Sequence, residues 1–177
     1  MRRLFLGYRS WLARHREVTA FPDPVLTAGL AGLDREIAGL PGEYAPPGGA
    51  LFVGVDGGRA AGCAALRRWR GSTAEIKRVY VAAGCRGGGL GRRLTEAAVR
   101  RARTLGYRRV VLDTLPTMTA AVQLYRRLGF RPIAPYWAHP VAGALFFEYR
   151  LARPSGRPRD RARLGGARVP PERRRAS

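Results

Sequence analysis

Four glycines within five residues, Gly87, Gly88, Gly89 and Gly91, follow an apolar strand-like segment, EIKRVYV (Glu75 to Val81), and open directly into a helix-like one. A strand that runs through a glycine-rich turn into a helix aims several backbone N–H groups, and the positive end of the helix dipole, at one point. Such a junction is an anion site. Glycine suits it because a Cβ would hold a phosphate away from the backbone, and because turns of this kind use positive φ. A plain structural connection is the competing reading. The turn reads R-x-x-G-x-G from Arg86 to Gly91, with no Lys-Ser or Lys-Thr after it, so it is not a P-loop. Nor is there an early G-x-G-x-x-G with an acidic residue closing the next strand, which leaves a nicotinamide site poorly supported. Two His and two scattered Cys imply no metal site. Cys85, beside Arg86 and a helix start, is either a thiol of lowered pKa or a spacer.

The elements that must position this turn are legible on both sides of it. Tyr8 to Arg16 suits a short basic helix, and Leu33 to Leu40 a second one, stopped by Pro41 and Gly42. Leu51 to Val55, then Asp56-Gly57-Gly58, then AAGCAALRR read as a hairpin, since Asp-Gly between apolar runs is a strong hairpin signal. Glu75 to Val81 is a third strand. Leu90, Leu94, Ala97, Ala98, Ala102 and Leu105 lie at helical spacing, with Gly106 placed as a C-terminal cap. Val110 to Thr114 is a strand, Met118 to Leu128 a helix closed by Gly129, and Gly143 to Leu151 a late strand. A hairpin followed by alternating strands and helices predicts an α/β domain with a mixed sheet.

Three linked segments, IKRVYV before RGGGLG, VVLDT after the long helix, and AVQLYRRLGF (Ala121 to Phe130), resemble the GNAT superfamily of N-acetyltransferases in order and spacing. The late strand GALFFEYRL fits that family's closing strand. The resemblance implies a single-domain GNAT-like fold over residues 1–152, with a mixed, mostly antiparallel sheet flanked by helices. It implies acetyl-CoA as co-substrate, its pyrophosphate against Arg86, Gly87, Gly88, Gly89, Gly91 and Arg92, and its pantetheine arm paired with the backbone of Val79 and Val81. It implies Tyr125 as the acid that protonates the departing thiolate, and Glu75 as the base that takes the amine's proton. The structural alternatives are a packing role for Tyr125 and an Arg-paired strand-end carboxylate for Glu75.

By the same resemblance the acceptor pocket draws on LPGEYAPPGG and APYWAHPVAG, which supply Tyr44, Tyr136, Trp137 and His139. The implied reaction is direct attack of a primary amine, from a small molecule or a protein, on acetyl-CoA. A silent CoA-binding domain or an arginine-rich nucleic-acid adaptor is the alternative. Met118 stands where many members carry an Asn that contacts the cofactor, and the loop AAGC lacks the Pro often found after the strand.

The 177 residues carry 33 basic against 12 acidic side chains, a net charge of +21, and every basic residue but Lys77 is Arg. That one-sidedness is what a GC-rich coding bias produces. Residues 153–177 hold nine Arg, four Pro and no aromatic residue, which predicts a disordered tail. The remaining Arg are scattered, with no stacked aromatics or recognised nucleic-acid motif, so a nucleic-acid partner is not expected. No run reaches the roughly 18 apolar residues of a membrane span. Two Cys are too few for a disulfide framework. The expected location is cytoplasmic, and the expected assembly a monomer or homodimer.

Overall fold

Asp56 and Arg59 pair across a two-residue turn in which Gly57 (φ +53°) and Gly58 (φ +75°) both take left-handed backbone, the form that matches the twist of a tight hairpin. In the computed structural model, which describes residues 1–14, 23–137 and 143–152, this hairpin joins β1 (Ala50–Asp56) to β2 (Arg59–Arg70). The chain continues through β3 (Thr73–Val81), β4 (Arg109–Thr114), β5 (Arg131–Ile133) and β6 (Leu145–Arg150). The six strands form one sheet in the order β1-β2-β3-β4-β6-β5, and only the β3–β4 pair is parallel. The mixed, mostly antiparallel sheet expected from the sequence is therefore present.

Helices cover both faces. α1 (Arg2–Arg14) and α2 (Asp23–Ala38) lie on one, where Leu4, Phe5, Leu33 and Ile37 pack with Tyr44, Cys63 and Ala65. α3 (Leu90–Thr104) and α4 (Thr119–Arg127) lie on the other, with Ala64, Leu66 and Ile76 turned toward them. Successive residues of β2 thus feed opposite cores, as strand geometry requires. Burial of the Cys63 thiol against α1 and α2 raises its pKa to about 12. Gly54 and Gly62 let α3 settle onto the sheet: a Cβ would come within 2.7 Å of Leu90 at the first, and 2.8 Å of the Tyr80 carbonyl at the second. The Leu90 and Leu94 side chains seated there each contribute about 1.5–3 kcal/mol of burial.

Two helices begin earlier than their sequence pattern suggests. α1 starts at Arg2 rather than Tyr8, because burial of Leu4 and Phe5 overrides the low helix propensity of Gly7, and α2 starts at Asp23 rather than Leu33. The short edge strand β5 has no sequence expectation behind it; Pro132 sits in it, as Pro does on sheet edges. Gly106 (φ +80°) and Gly129 (φ +90°) end α3 and α4 as read from the sequence. The expected tail, 153–177, lies outside the described residues. Among the described residues no helix is long and apolar enough to cross a membrane.

Candidate active site

The site begins where the parallel strands part. β3 and β4 pair at Thr73–Arg109, Ala74–Val110 and Glu75–Val111, and the pairing ends there. Ile76 to Val81 and Asp113 to Thr114 then line opposite walls of a cavity of about 930 Å³. On its other side β3 stays paired with β2, but the register slips between Cys63 and Ala65, opposite Tyr80 and Lys77. Arg78 sits in that bulge with φ +57°, left-handed backbone on a long side chain. Such a conformation costs about 1–3 kcal/mol and persists only where the surroundings hold it. Glu36 of α2 does so, accepting from Arg78 Nε at 3.0 Å and from Nη2 at 2.6 Å, and the Tyr44 hydroxyl donates to the same carboxylate at 2.8 Å.

The glycine-rich turn closes one end. After a 3₁₀ turn at Ala83–Cys85 the chain passes through extended Arg86 to Gly87 (φ +87°), and left-handed Gly89 (φ +73°) caps α3. A Cβ on Gly87 or Gly88 would meet no atom within 4 Å, so the turn presents open backbone. The Gly88 carbonyl accepts from Arg93 Nη1 at 2.8 Å, which clips the turn to the first turn of α3. A groove of about 450 Å³ runs beside it, lined by Arg86, Gly87, Gly89, Gly91 and Arg92 and, from α4, by Gln123 and Arg127. The last two were not anticipated: they lie one helical turn apart in a segment whose motif drew attention to Tyr125 instead. Val81, Arg86, Gly91 and Leu124 line both groove and cavity, so the two meet there. Backbone N–H groups at a helix start with three Arg around them fit a nucleotide pyrophosphate, and the cavity beyond fits a thioester arm. Arg86 itself donates from Nε to the Val81 carbonyl at 3.1 Å and lies over the Trp11 ring. Desolvation, with a hydrogen bond to Asp56, moves the Cys85 thiol up rather than down.

Tyr125 of α4 lines the cavity and is buried, its ring tilted against Phe130 and Phe147. Burial, then the charges of Tyr8 and Asp113, push its hydroxyl well above the ordinary phenol range, so it stays protonated. Val79, Val81 and Trp137 are also on the cavity wall. Glu75 is not. It belongs to the last β3–β4 pair, still inside the sheet, and is fully buried with Arg67 Nε at 2.6 Å and Lys77 Nζ at 3.7 Å. The Tyr136 hydroxyl donates to Oε1, the oxygen that Lys77 approaches, at 2.8 Å. Tyr136 therefore packs behind the wall, against Trp69 and Phe146, and Tyr44 lies buried behind Glu36. Burial, then the neighbouring glutamate, raises the pKa of both phenols. His139 lies outside the described residues.

Among the described residues the carboxylate on the cavity wall is Asp113, at the end of β4, and it acts electrostatically on the hydroxyls of Tyr8, Tyr125 and Tyr136. Its signal in the sequence was a lone charge in VVLDT, an otherwise apolar strand. Among the described residues no group of three or more His, Cys, Asp or Glu could hold a metal ion.

The family model of the GNAT acetyltransferases matches residues 14–130. The uncharacterized N-acetyltransferase C1271.07c of Schizosaccharomyces pombe is 35% identical over 68% of this chain and 76% of its own length. The uncharacterized N-acetyltransferase YjgM of Escherichia coli is 31% identical over 86% of this chain and 93% of its own. The structure of yncA from Salmonella typhimurium, which holds its cofactor acetyl-CoA, superposes with a TM-score of 0.51 over 72% of this chain and 75% of its own, at 24% identity. The chain belongs to the acetyltransferase (GNAT) family and is an acetyl-CoA-dependent acyltransferase.

Proposed function

We propose that this protein transfers the acetyl group of acetyl-CoA to a primary amine by direct attack, in the cavity between the parted strands. The observation that carries this reading is the end of β3–β4 pairing at Glu75 and Val111, which leaves the backbone of Val79 and Val81 on the wall of a cavity that opens onto the glycine-rich turn. An extended pantetheine arm pairs with such a strand edge as another strand would. The turn from Arg86 to Arg92 receives the pyrophosphate, and Arg127 adds charge at the groove's far wall.

With both reactants held in one cavity, proximity supplies a large part of the rate, and strand N–H groups near Val81 polarise the thioester carbonyl. Asp113 takes the proton that an ammonium must lose before it can attack. As the new C–N bond forms and the C–S bond breaks, the Tyr125 hydroxyl delivers its proton to the leaving sulfur and recovers one from the amide nitrogen. Its raised pKa suits a group that has to remain a donor at neutral pH. Glu75, buried and bonded to Arg67 and Tyr136, acts as a positioning residue that fixes Tyr136 and so the adjoining Trp137 of the wall.

The test is a turnover screen of amines with acetyl-CoA and thiol detection, alongside calorimetric titration of acetyl-CoA. Binding of acetyl-CoA with acetylation of at least one amine is expected. A chain that binds no acetyl-CoA, or binds it and acetylates nothing, removes the reading.

A further inference from the structure

Positive charge is not spread evenly over the fold. Residues 1–14 and 23–81 together carry eleven basic side chains and six acidic ones, whereas residues 82–137 carry eleven basic ones against Glu96 and Asp113 alone. Around α1, α2 and the strands beneath them the arginines are answered: Arg9 pairs with Asp34, Arg67 with Glu43 and Glu75, and Arg78 with Glu36. α3 and α4 hold no acid but Glu96, which is taken by Arg92. Arg100 and Arg103, three residues apart and so on one side of α3, are exposed, as is Arg126 of α4. Among the described residues none of these three makes an ion pair. The two helices share one core through Ala98, Val99, Ala102, Val122 and Tyr125, so their outer sides belong to one cationic face. A coding bias sets how many arginines a chain holds, but it does not decide where the acids stand.

We propose that this face of α3 and α4 binds the sugar–phosphate backbone of a nucleic-acid duplex, without reading its sequence. A protein partner or a bilayer needs more than charge: protein interfaces centre on buried aromatic and apolar anchors, and a helix lying on a membrane sinks an apolar stripe into it. The exposed large apolar side chains among the described residues, Leu6, Val53 and Val55, stand on α1 and β1 instead. A phosphate backbone needs none, because each phosphate met by a guanidinium releases a counterion, and the planar N–H fork matches two phosphate oxygens. The arginines read as scattered along the sequence because residues 100, 103 and 126 come to one face only through the packing of α3 with α4. Arg100, Arg103 and Arg126 lie outside the lining of the cavity and the groove, so the surface goes beyond the acetyl transfer proposed above and does not depend on it.

The test is fluorescence anisotropy of a labelled, mixed-sequence DNA duplex of about 20 base pairs with the full chain, across a salt series. The triple variant Arg100→Gln/Arg103→Gln/Arg126→Gln is compared with a charge-matched one, Arg3→Gln/Arg35→Gln/Arg59→Gln, at exposed positions on α1, α2 and the β1–β2 turn. At about 0.1 M salt the first triple is expected to lose at least about tenfold in affinity and to flatten the salt slope by about 2 to 3, while the second stays within about threefold of the parent. Arg100→Gln alone decides the matter if the triple does not fold: a loss of about threefold is expected, and unchanged affinity overturns the proposal. Equal losses in the two triples overturn it as well, since net charge without a particular face would then account for binding. So does a parent chain that fails to bind the duplex at about 0.1 M salt. Tighter binding to vesicles of phosphatidylcholine and phosphatidylserine at about 3:1, lost in the first triple, would make the face a membrane surface, and tighter binding to polyglutamate an acidic-protein surface; either result overturns the assignment.

Discussion

The two ends of the site are made of different material. At the end proposed for the cofactor one short turn, Arg86 to Arg92, supplies backbone N–H groups, open space above Gly87 and Gly88, and the start of a helix. At the end proposed for the acceptor nothing comes from one place: Tyr8, Arg78 and Asp113 reach the cavity from α1, β3 and β4, and Glu36 of α2 holds Arg78 from behind. A backbone site tolerates change in its side chains and is broken by a Cβ in the wrong position. A side-chain site is the opposite, and tolerates small backbone changes while a single functional group decides its chemistry.

The sharpest blow to the side-chain end is Tyr125→Phe. Removing a positioned general acid lowers the rate about 10²- to 10⁴-fold, while acetyl-CoA affinity measured by calorimetry stays within about threefold, since the ring is kept. Turnover equal to that of the unmodified protein would reduce Tyr125 to packing against Phe130 and Phe147. The sign of its pKa shift gives a second readout. A phenol raised above its ordinary value of about 10 remains a donor throughout the working range, so kcat should show no descending limb below about pH 10.

Gly88→Val does the converse at the backbone end. Gly88 lacks the positive φ of its neighbours, and a Cβ there meets nothing within 4 Å, so the ligand-free fold accepts the side chain. A pyrophosphate laid against the turn, as proposed, meets that side chain, since Gly88 stands between Gly87 and Gly89 of the groove's lining. Acetyl-CoA affinity is expected to fall about 30- to 100-fold in calorimetry with the melting temperature within about 2 °C of the parent. Unchanged affinity would move the phosphates away from this turn.

This contrast also explains what could be read in advance. The glycine-rich turn, the long helix and the Tyr125 segment were legible because each is local: spacing along the chain is spacing in space. Glu75 could be placed on β3 but not relative to its end of pairing, and it is that register, ending at Val111, that buries it behind the wall and gives the wall to Asp113. Arg78 carried no sequence signal, since a bulge is a relation between two strands. β5 is three residues long and has no periodicity to show.

Within the acceptor end, the Glu36–Arg78 pair should be visible as a pH dependence of stability. Burial alone would raise the Glu36 pKa, but the hydrogen bonds and charge of Arg78, with the Tyr44 hydroxyl, leave it below the ordinary glutamate range. Folded Glu36 therefore binds its proton less readily than unfolded Glu36. Its contribution is fully present above the unfolded pKa of about 4.3 and is lost as pH falls through the folded value. For a pair between surface and core this is about 1–2 kcal/mol. In melts from pH 7 downward, the unmodified protein should lose more stability than Glu36→Gln through the acid range; parallel curves would show that the pair does not support the bulge.

The smallest expected effect sharpens the comparison most at the backbone end. Arg92 stands at the groove and, in a chain of this net charge, invites the view that arginine side chains hold the phosphates. Its side chain is 68% exposed, and its Nε donates to Glu96 one turn along the helix at 2.8 Å. A pair of that kind is worth about 0.3–0.5 kcal/mol, and the guanidinium is screened by water where it meets a ligand. Arg92→Ala should therefore change acetyl-CoA affinity by less than about threefold, against the far larger loss at Gly88, and the loss should vanish in about 0.5 M salt. A tenfold loss that survives salt would instead make the groove a side-chain site like the acceptor end, with Arg92 pinning a phosphate directly.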